Sequence, residues 1–89
     1  MNLKTEYKHI YFRRLNYSSA PKRKTSIWGC YSLKNDFCLG LVEWQFSWRQ
    51  YCYYPEIHTL YSKDCLQDIQ DFMQKLRAFE LAERKKKND

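Results

Sequence analysis

The sequence predicts an α+β fold, in which a small antiparallel sheet of three to four strands forms a meander and packs against one C-terminal α-helix. Three observations lead to this prediction. Short runs rich in aromatic and β-branched residues fill the first part of the chain, and turn-forming residues separate them. The last part has apolar residues at three- and four-residue spacing. A chain of 89 residues can enclose one two-layer core, so we expect a single domain over residues 1–89.

The N-terminal part of the chain, residues 1–25, is expected to form a basic strand or extended arm followed by a loop. Apolar residues from Tyr7 to Leu15 lie among charged ones. The stretch 18–24 contains serine, proline and basic residues and has the composition of a loop.

Residues 26–61 are expected to form the meander, with strands at 26–34, 37–44 and 49–54 and a short extended piece near 59–61. Asn35 and Asp36 both tolerate the left-handed backbone of a tight hairpin, so they mark the first turn. The second turn is expected at 45–48. Gly40 suggests a bulge or a close backbone approach, and Pro55 is expected to end the last strand because it has no N–H group.

The helix is predicted over residues 62–87. Ser62 is a suitable N-cap, and acidic residues concentrate in the first half while basic residues concentrate at the end, the order that the helix dipole favours. We expect one apolar stripe to pack on the sheet. Its members are Leu66, Ile69, Phe72, Met73, Leu76 and Phe79.

The formal net charge of +6 is concentrated near the N-terminus, where residues 1–26 contain seven Lys and Arg against one Glu. Such a segment attracts phosphate or an acidic protein surface. A solvated loop that maintains solubility explains the same composition. The candidate residues for binding phosphate or an acidic surface are Arg13, Arg14, Lys22, Arg23 and Lys24.

The densest cluster of large side chains lies between Trp44 and Pro55, where six aromatic rings and one arginine occur within eleven residues. Alternate residues of a strand face opposite sides, so Arg49, Tyr51 and Tyr53 are expected to share one face. A two-layer fold covers only one face of its sheet, so part of this set is expected to be exposed or covered by a partner. The candidate partner-binding residues are Trp44, Trp48, Arg49, Tyr51 and Tyr53.

Three interpretations of this aromatic cluster remain open. Exposed rings on a sheet stack bases of single-stranded nucleic acid, and Trp, Tyr and Arg also dominate protein–protein hot spots. The third interpretation needs no partner, because cross-strand aromatic pairs stabilise a thin sheet in a short chain.

No arrangement of residues predicts catalysis, a metal or another cofactor. The chain has no glycine-rich phosphate loop, no H-E-x-x-H pair and no nucleophile elbow. The four cysteines show no C-x-x-C spacing, and we expect them to be reduced and buried. With no signal peptide and no transmembrane stretch in the sequence, we expect a cytoplasmic protein that does not enter a membrane.

Two motifs resemble those of a known family. One is W-x3-W-R-Q-Y-x3-P from Trp44 to Pro55, preceded by Leu39-Gly40, and the other is C-L-x-D-I-x2-F from Cys65 to Phe72. Over residues 28–76 the chain resembles small uncharacterised proteins found in bacteriophages and mobile elements of gut-type bacteria. The resemblance implies a hairpin followed by a helix, and an origin in a phage or mobile element. It implies no catalytic residue.

Small phage proteins without an active site often act by occupying a component of the host. We therefore expect a non-enzymatic inhibitor of a host protein, with a defence complex as its target, in the cytoplasm of the host cell. The alternative is a module that binds or sequesters nucleic acid or a nucleotide, using the aromatic hairpin and the basic N-terminal segment. A homodimer that covers its own exposed sheet face is a third possibility.

Overall fold

The structure, a computed structural model, describes residues 2–15 and 25–87. Its elements are β1 (Ile10–Leu15), β2 (Ile27–Ser32), β3 (Cys38–Gln45), β4 (Gln50–Pro55) and α1 (Lys63–Lys87). The strands form one antiparallel sheet in the order β1-β2-β3-β4. Helix α1 packs on one face of this sheet, which confirms the predicted α+β meander with one C-terminal helix.

The end of β4 at Pro55 agrees with the prediction, since a proline is tolerated on an edge strand. Two other assignments differ from it. Residues 59–61 form no strand. Arg49 belongs to the turn that precedes β4 and has a positive φ of 54°, so the expectation that it lies in the strand is wrong.

The turn between β2 and β3 contains Asn35 and Asp36, as predicted. Asp36 adopts a left-handed backbone with a φ of 61°. The side-chain oxygen of Asn35 accepts a hydrogen bond of 3.1 Å from the backbone N–H of Phe37. A short polar side chain that bonds to the backbone two residues later is a common way of closing a tight turn.

A register shift in the middle of the sheet explains the glycine in β3. Cys30 pairs with Gly40 and Tyr31 pairs with Cys38, which leaves Leu39 as the additional residue of a bulge. A Cβ atom on Gly40 would lie 2.5 Å from the hydroxyl oxygen of Tyr53. The aromatic ring therefore occupies the space above the glycine, and the predicted bulge with close approach is confirmed.

The core forms where α1 meets the sheet. The ring of Phe72 stacks on that of Phe12, with centroids 3.9 Å apart and planes 2° apart, and Trp28 meets Phe72 edge-on at 5.2 Å. Ile69 and Leu76 are buried on either side of Phe72 along the helix. Truncating a buried phenylalanine to alanine costs about 3–5 kcal/mol, a large share of the stability of a small domain.

The start of α1 and most of its apolar stripe correspond to the prediction, but Leu66 does not face the sheet. The hydroxyl oxygen of Ser62 accepts a hydrogen bond of 3.2 Å from the backbone N–H of Cys65, which confirms the N-cap. Leu66 is 54% exposed, whereas Cys65 packs against the core. Cys65 precedes Ile69 by four residues and so lies on the same side of the helix. The inclusion of Leu66 in the stripe was therefore wrong.

The N-terminal segment attaches to the outer edge of β1 and to α1. Phe12 donates a backbone hydrogen bond of 2.8 Å to Thr5, and the hydroxyl of Tyr7 donates one of 2.8 Å to the carboxylate of Asp71. Lys75 forms an ion pair of 2.9 Å with the same carboxylate. Lys75 and Tyr7 together hold the pKa of Asp71 below its usual value.

The cysteines divide into one that is buried and three that are not. Cys30 is fully buried, Cys38 is exposed, and Cys52 and Cys65 are half-buried. All four thiols are free. The expectation of buried thiols therefore holds for Cys30 and is wrong for Cys38. Burial raises the pKa of the Cys30 thiol to about 12.

We predict that the Asp71→Asn variant is less stable than the wild type at neutral pH and approaches it in acid. The folded pKa of Asp71 lies below the unfolded one, so the ionised group stabilises the fold above about pH 4 and this contribution is lost as the pH falls through the folded pKa. The difference at neutral pH should not exceed about 1 kcal/mol, because the group is partly exposed. Urea unfolding of both proteins between pH 2 and pH 7 measures it; a difference that does not change with pH would contradict the assignment.

We further predict that Cys30 resists alkylation in the folded protein while Cys38 reacts. A thiol with a pKa of about 12 has almost no thiolate near pH 8, and burial blocks access to it. Brief treatment with iodoacetamide followed by peptide mass spectrometry gives the modification at each site. The same treatment in denaturant is the control and should modify both cysteines equally.

Candidate functional site

A groove lies between the β3–β4 hairpin and the middle of α1. We call it the basic groove, because two arginines and no carboxylate line it. Its volume is about 430 Å³. The lining residues are Trp44, Arg49, Gln50, Tyr51, Gln70, Met73, Gln74 and Arg77. The hairpin supplies the first four and α1 supplies the last four.

A hydrogen-bonded network fixes the inner wall of the basic groove. The buried hydroxyl of Tyr51 donates to the carboxylate of Glu80 on α1, and the hydroxyl of Ser26 donates to the same carboxylate at 2.9 Å. The indole N–H of Trp28 donates to the Ser26 oxygen at 2.7 Å. Burial and the bond to Glu80 raise the pKa of Tyr51, so the phenol is neutral and serves as a structural donor.

The two arginines of the groove differ in how they are held. The guanidinium carbon of Arg77 lies 4.5 Å from the centroid of the Trp44 ring, a cation–π contact that sets its position. Trp44 in turn meets Tyr51 edge-on at 5.3 Å. Within residues 2–15 and 25–87, neither Arg49 nor Arg77 forms an ion pair with a carboxylate. Their charges are therefore available to an anionic ligand.

The turn between β3 and β4 projects large side chains next to the groove. Phe46 is 71% exposed and Trp48 is 68% exposed. The side-chain oxygen of Gln45 accepts hydrogen bonds from the backbone N–H of Ser47 at 3.2 Å and from its hydroxyl at 3.0 Å. These bonds order the turn. We call Phe46, Trp48 and Arg49 the hairpin tip.

The five predicted partner-binding residues do not form one exposed face. Tyr51 is buried, while Trp44 and Tyr53 are half-buried on the side of the sheet that α1 covers. The Tyr53 hydroxyl bonds to that of Tyr61 at 2.8 Å, away from the groove. Trp48 and Arg49 are exposed at the turn. The structure thus brings Trp44, Arg49 and Tyr51 together in the basic groove, and their role in partner binding stays a prediction.

The helix side of the groove was missed by the sequence analysis. Gln70, Gln74 and Arg77 follow one another at spacings of four and three residues, which places them on one face of α1 beside the buried stripe. That spacing was visible in the sequence. It did not indicate a site, because nothing showed that this face lies next to the β3–β4 hairpin.

The two predicted basic residues that the structure describes, Arg13 and Arg14, do not share a face. Arg13 and Arg14 are neighbours in β1 and so face opposite sides of the sheet. Arg13 lies over the ring of Tyr31 at 4.8 Å on the side away from α1, whereas Arg14 lines a second groove beside α1 with Glu80 and Glu83. The remaining three, Lys22, Arg23 and Lys24, lie outside the described residues.

The described part of the chain contains neither a metal-binding cluster of side chains nor a membrane-spanning helix. No group of three or more His, Cys, Asp or Glu side chains there is arranged to hold a metal ion. No described helix combines the length and apolar character needed to cross a bilayer.

Comparison with known proteins adds no relative. No protein-family model matches the chain, and neither a curated protein nor a solved structure matches it. The resemblance to small proteins of phages and mobile elements therefore stays a prediction.

Proposed function

We propose that the protein is a small, non-enzymatic binding protein of phage type that inhibits a host protein, with a component of a defence system as its target. The observation that carries this proposal is the hairpin tip. It presents Phe46, Trp48 and Arg49 to solvent directly beside a groove that contains a second arginine, Arg77, and no carboxylate among its lining residues.

The chemistry of this surface is that of a protein-binding hot spot. Tryptophan and arginine are enriched among the few residues that dominate binding energies, especially where flat or apolar groups are already held in place. The bonds between Gln45 and Ser47 order the tip before binding. This order lowers the entropy that the tip loses on association. The arginines favour a partner with an acidic surface, since opposite charges speed encounter and select the partner.

The alternative of a nucleic-acid or nucleotide module has less support from the geometry. Base stacking needs open aromatic faces. Tyr51 is buried, and Arg77 already covers the ring of Trp44. Of the predicted ring cluster, Phe46 and Trp48 are exposed at the hairpin tip, and Tyr54 is exposed on the opposite face of β4 from Tyr53. A protein partner therefore fits the hairpin better than a strand of stacked bases.

We predict that the tagged protein captures one dominant partner from bacterial lysate and that this partner survives nuclease treatment. Replacing Trp48 and Arg49 by alanine together should weaken the purified complex by at least tenfold, an effect typical of hot-spot residues. Calorimetric titration with the purified partner gives the affinity. The fold should persist, because both side chains are exposed.

The Phe37→Ala variant is the matched control. Phe37 is 68% exposed, as Trp48 is, but it lies in the turn at the opposite end of the sheet. Its loss should leave the affinity unchanged. A set of captured proteins that disappears with nuclease, or an equal effect of both variants, would contradict the proposal and favour nucleic acid or non-specific apolar binding.

A further inference from the structure

The sheet has one edge strand that pairs with no further strand among the described residues. β1 forms one edge, and the N-terminal segment pairs with it through a bridge between Glu6 and Tyr11 and a bond from Phe12 to Thr5. β4 forms the other edge. Within the described residues, β4 pairs with β3 alone.

The hydrogen-bond pattern identifies the backbone groups that β4 presents outward. Glu56 donates its backbone N–H to Leu39 at 2.9 Å. Bonded and non-bonded pairs alternate along an antiparallel ladder. Cys52 and Tyr54 are therefore in bonded pairs with β3, while Tyr51 and Tyr53 are in non-bonded pairs and direct their N–H and C=O groups to the free edge.

β4 lacks most of the features that keep edge strands from pairing. Such strands usually contain charged side chains, above all lysine, or a central proline or bulge. The sequence of β4, QYCYYP, has no charge. Its single proline, Pro55, is the last residue and removes one outward-facing N–H from the end of the strand. The outward N–H groups of Tyr51 and Tyr53 remain.

The basic groove borders the first residues of β4. Gln50 and Tyr51 of β4 form one wall and Gln74 and Arg77 of α1 form the other. In a strand added beside β4, every second side chain would point to the side on which α1 lies. Those side chains would meet Arg77 and the amides of α1, with Arg49 at the end of the strand.

We propose that β4 accepts an extended segment of a partner protein as a fifth strand and that carboxylates of this segment bind to Arg49 and Arg77. The inference rests on the proposed function, because the segment belongs to the inhibited protein. Charge complementarity determines the occupant. The groove has two guanidinium groups and no carboxylate among its lining residues. Guanidinium groups bind carboxylates in charge-assisted, bidentate pairs.

A second copy of this chain fits the edge less well. Pairing of β4 with another β4 would add the segment Gln50–Pro55, which contains no carboxylate. It would also bring the Arg49 and Arg77 of both copies to one interface without an acidic partner. Self-pairing is therefore an outcome that the test must separate from binding of an acidic strand.

The probe is a capped peptide of about eight residues in which Val and Glu alternate, matched by a version with Gln in place of Glu. Hydrogen exchange of the ¹⁵N-labelled full chain is followed by NMR. In the free monomer, Tyr51 and Tyr53 amides should exchange faster than those of Cys52 and Tyr54. Saturation with the Glu peptide should slow the exchange of Tyr51 and Tyr53 by about tenfold or more.

Substitutions then test the role of charge. Arg49→Gln and Arg77→Gln should each weaken binding of the Glu peptide about tenfold, and the Gln peptide should bind the wild type at least as weakly. Lys34→Gln removes the same charge from an exposed turn residue outside the groove and should change nothing. The thermal unfolding midpoint of each variant verifies that the fold is intact.

Four results would overturn the inference. They are the absence of Glu-peptide binding up to about 1 mM, binding without protection of Tyr51 and Tyr53, equal binding of the Gln peptide, and a dimeric free protein whose Tyr51 and Tyr53 amides are already protected. None of them bears on whether the tagged protein captures one partner that survives nuclease treatment, which is the readout for the proposed function. A failed strand addition is thus distinguishable from a failed proposed function.

Discussion

The stacking of Phe72 on Phe12 determines how the other parts of the structure are arranged. It joins the middle of the helix to the first strand at a centroid distance of 3.9 Å, and Trp28 fixes the orientation of Phe72 from the next strand. Once this contact is made, the helix can rotate very little. Ile69 and Leu76 must then face the sheet, and Glu80 comes within reach of Tyr51. The position of Arg77 over Trp44 depends on the same orientation.

Local signals in the sequence predicted the elements of the fold well. Ser62 bonds through its side chain to a backbone N–H three residues later, and Asp36 adopts a left-handed backbone within its own turn. Gly40 and Pro55 are recognised by what they lack, a side chain and a backbone N–H. Such residues need no knowledge of the tertiary structure. For this reason the turn, the N-cap and the site of close approach could be predicted before the partners of each strand were known.

The candidate site was predictable only in part, because it depends on contacts between distant segments. The sequence predicted partner binding at Trp44, Arg49 and Tyr51, and these three residues line the groove together. It did not reveal that the helix covers the side of the hairpin on which Tyr51 lies. The same limit applies to Leu66. Its spacing suits the apolar stripe as well as the spacing of Cys65 does, and only the packing of α1 against the sheet shows that Cys65 is the one that faces the core.

The ring of Tyr53 lies where a side chain on Gly40 would begin, and this restricts the substitutions that position 40 can accept. Any larger residue at position 40 would displace the ring, and with it the bond between the hydroxyls of Tyr53 and Tyr61. A smaller residue at position 53 would leave an empty space above the glycine. A Cβ atom at position 40 would also lie 2.6 Å from the backbone carbonyl oxygen of Tyr54, so loss of the tyrosine alone does not open the position, and the glycine is expected to persist among descendants of this chain whichever residue stands at position 53.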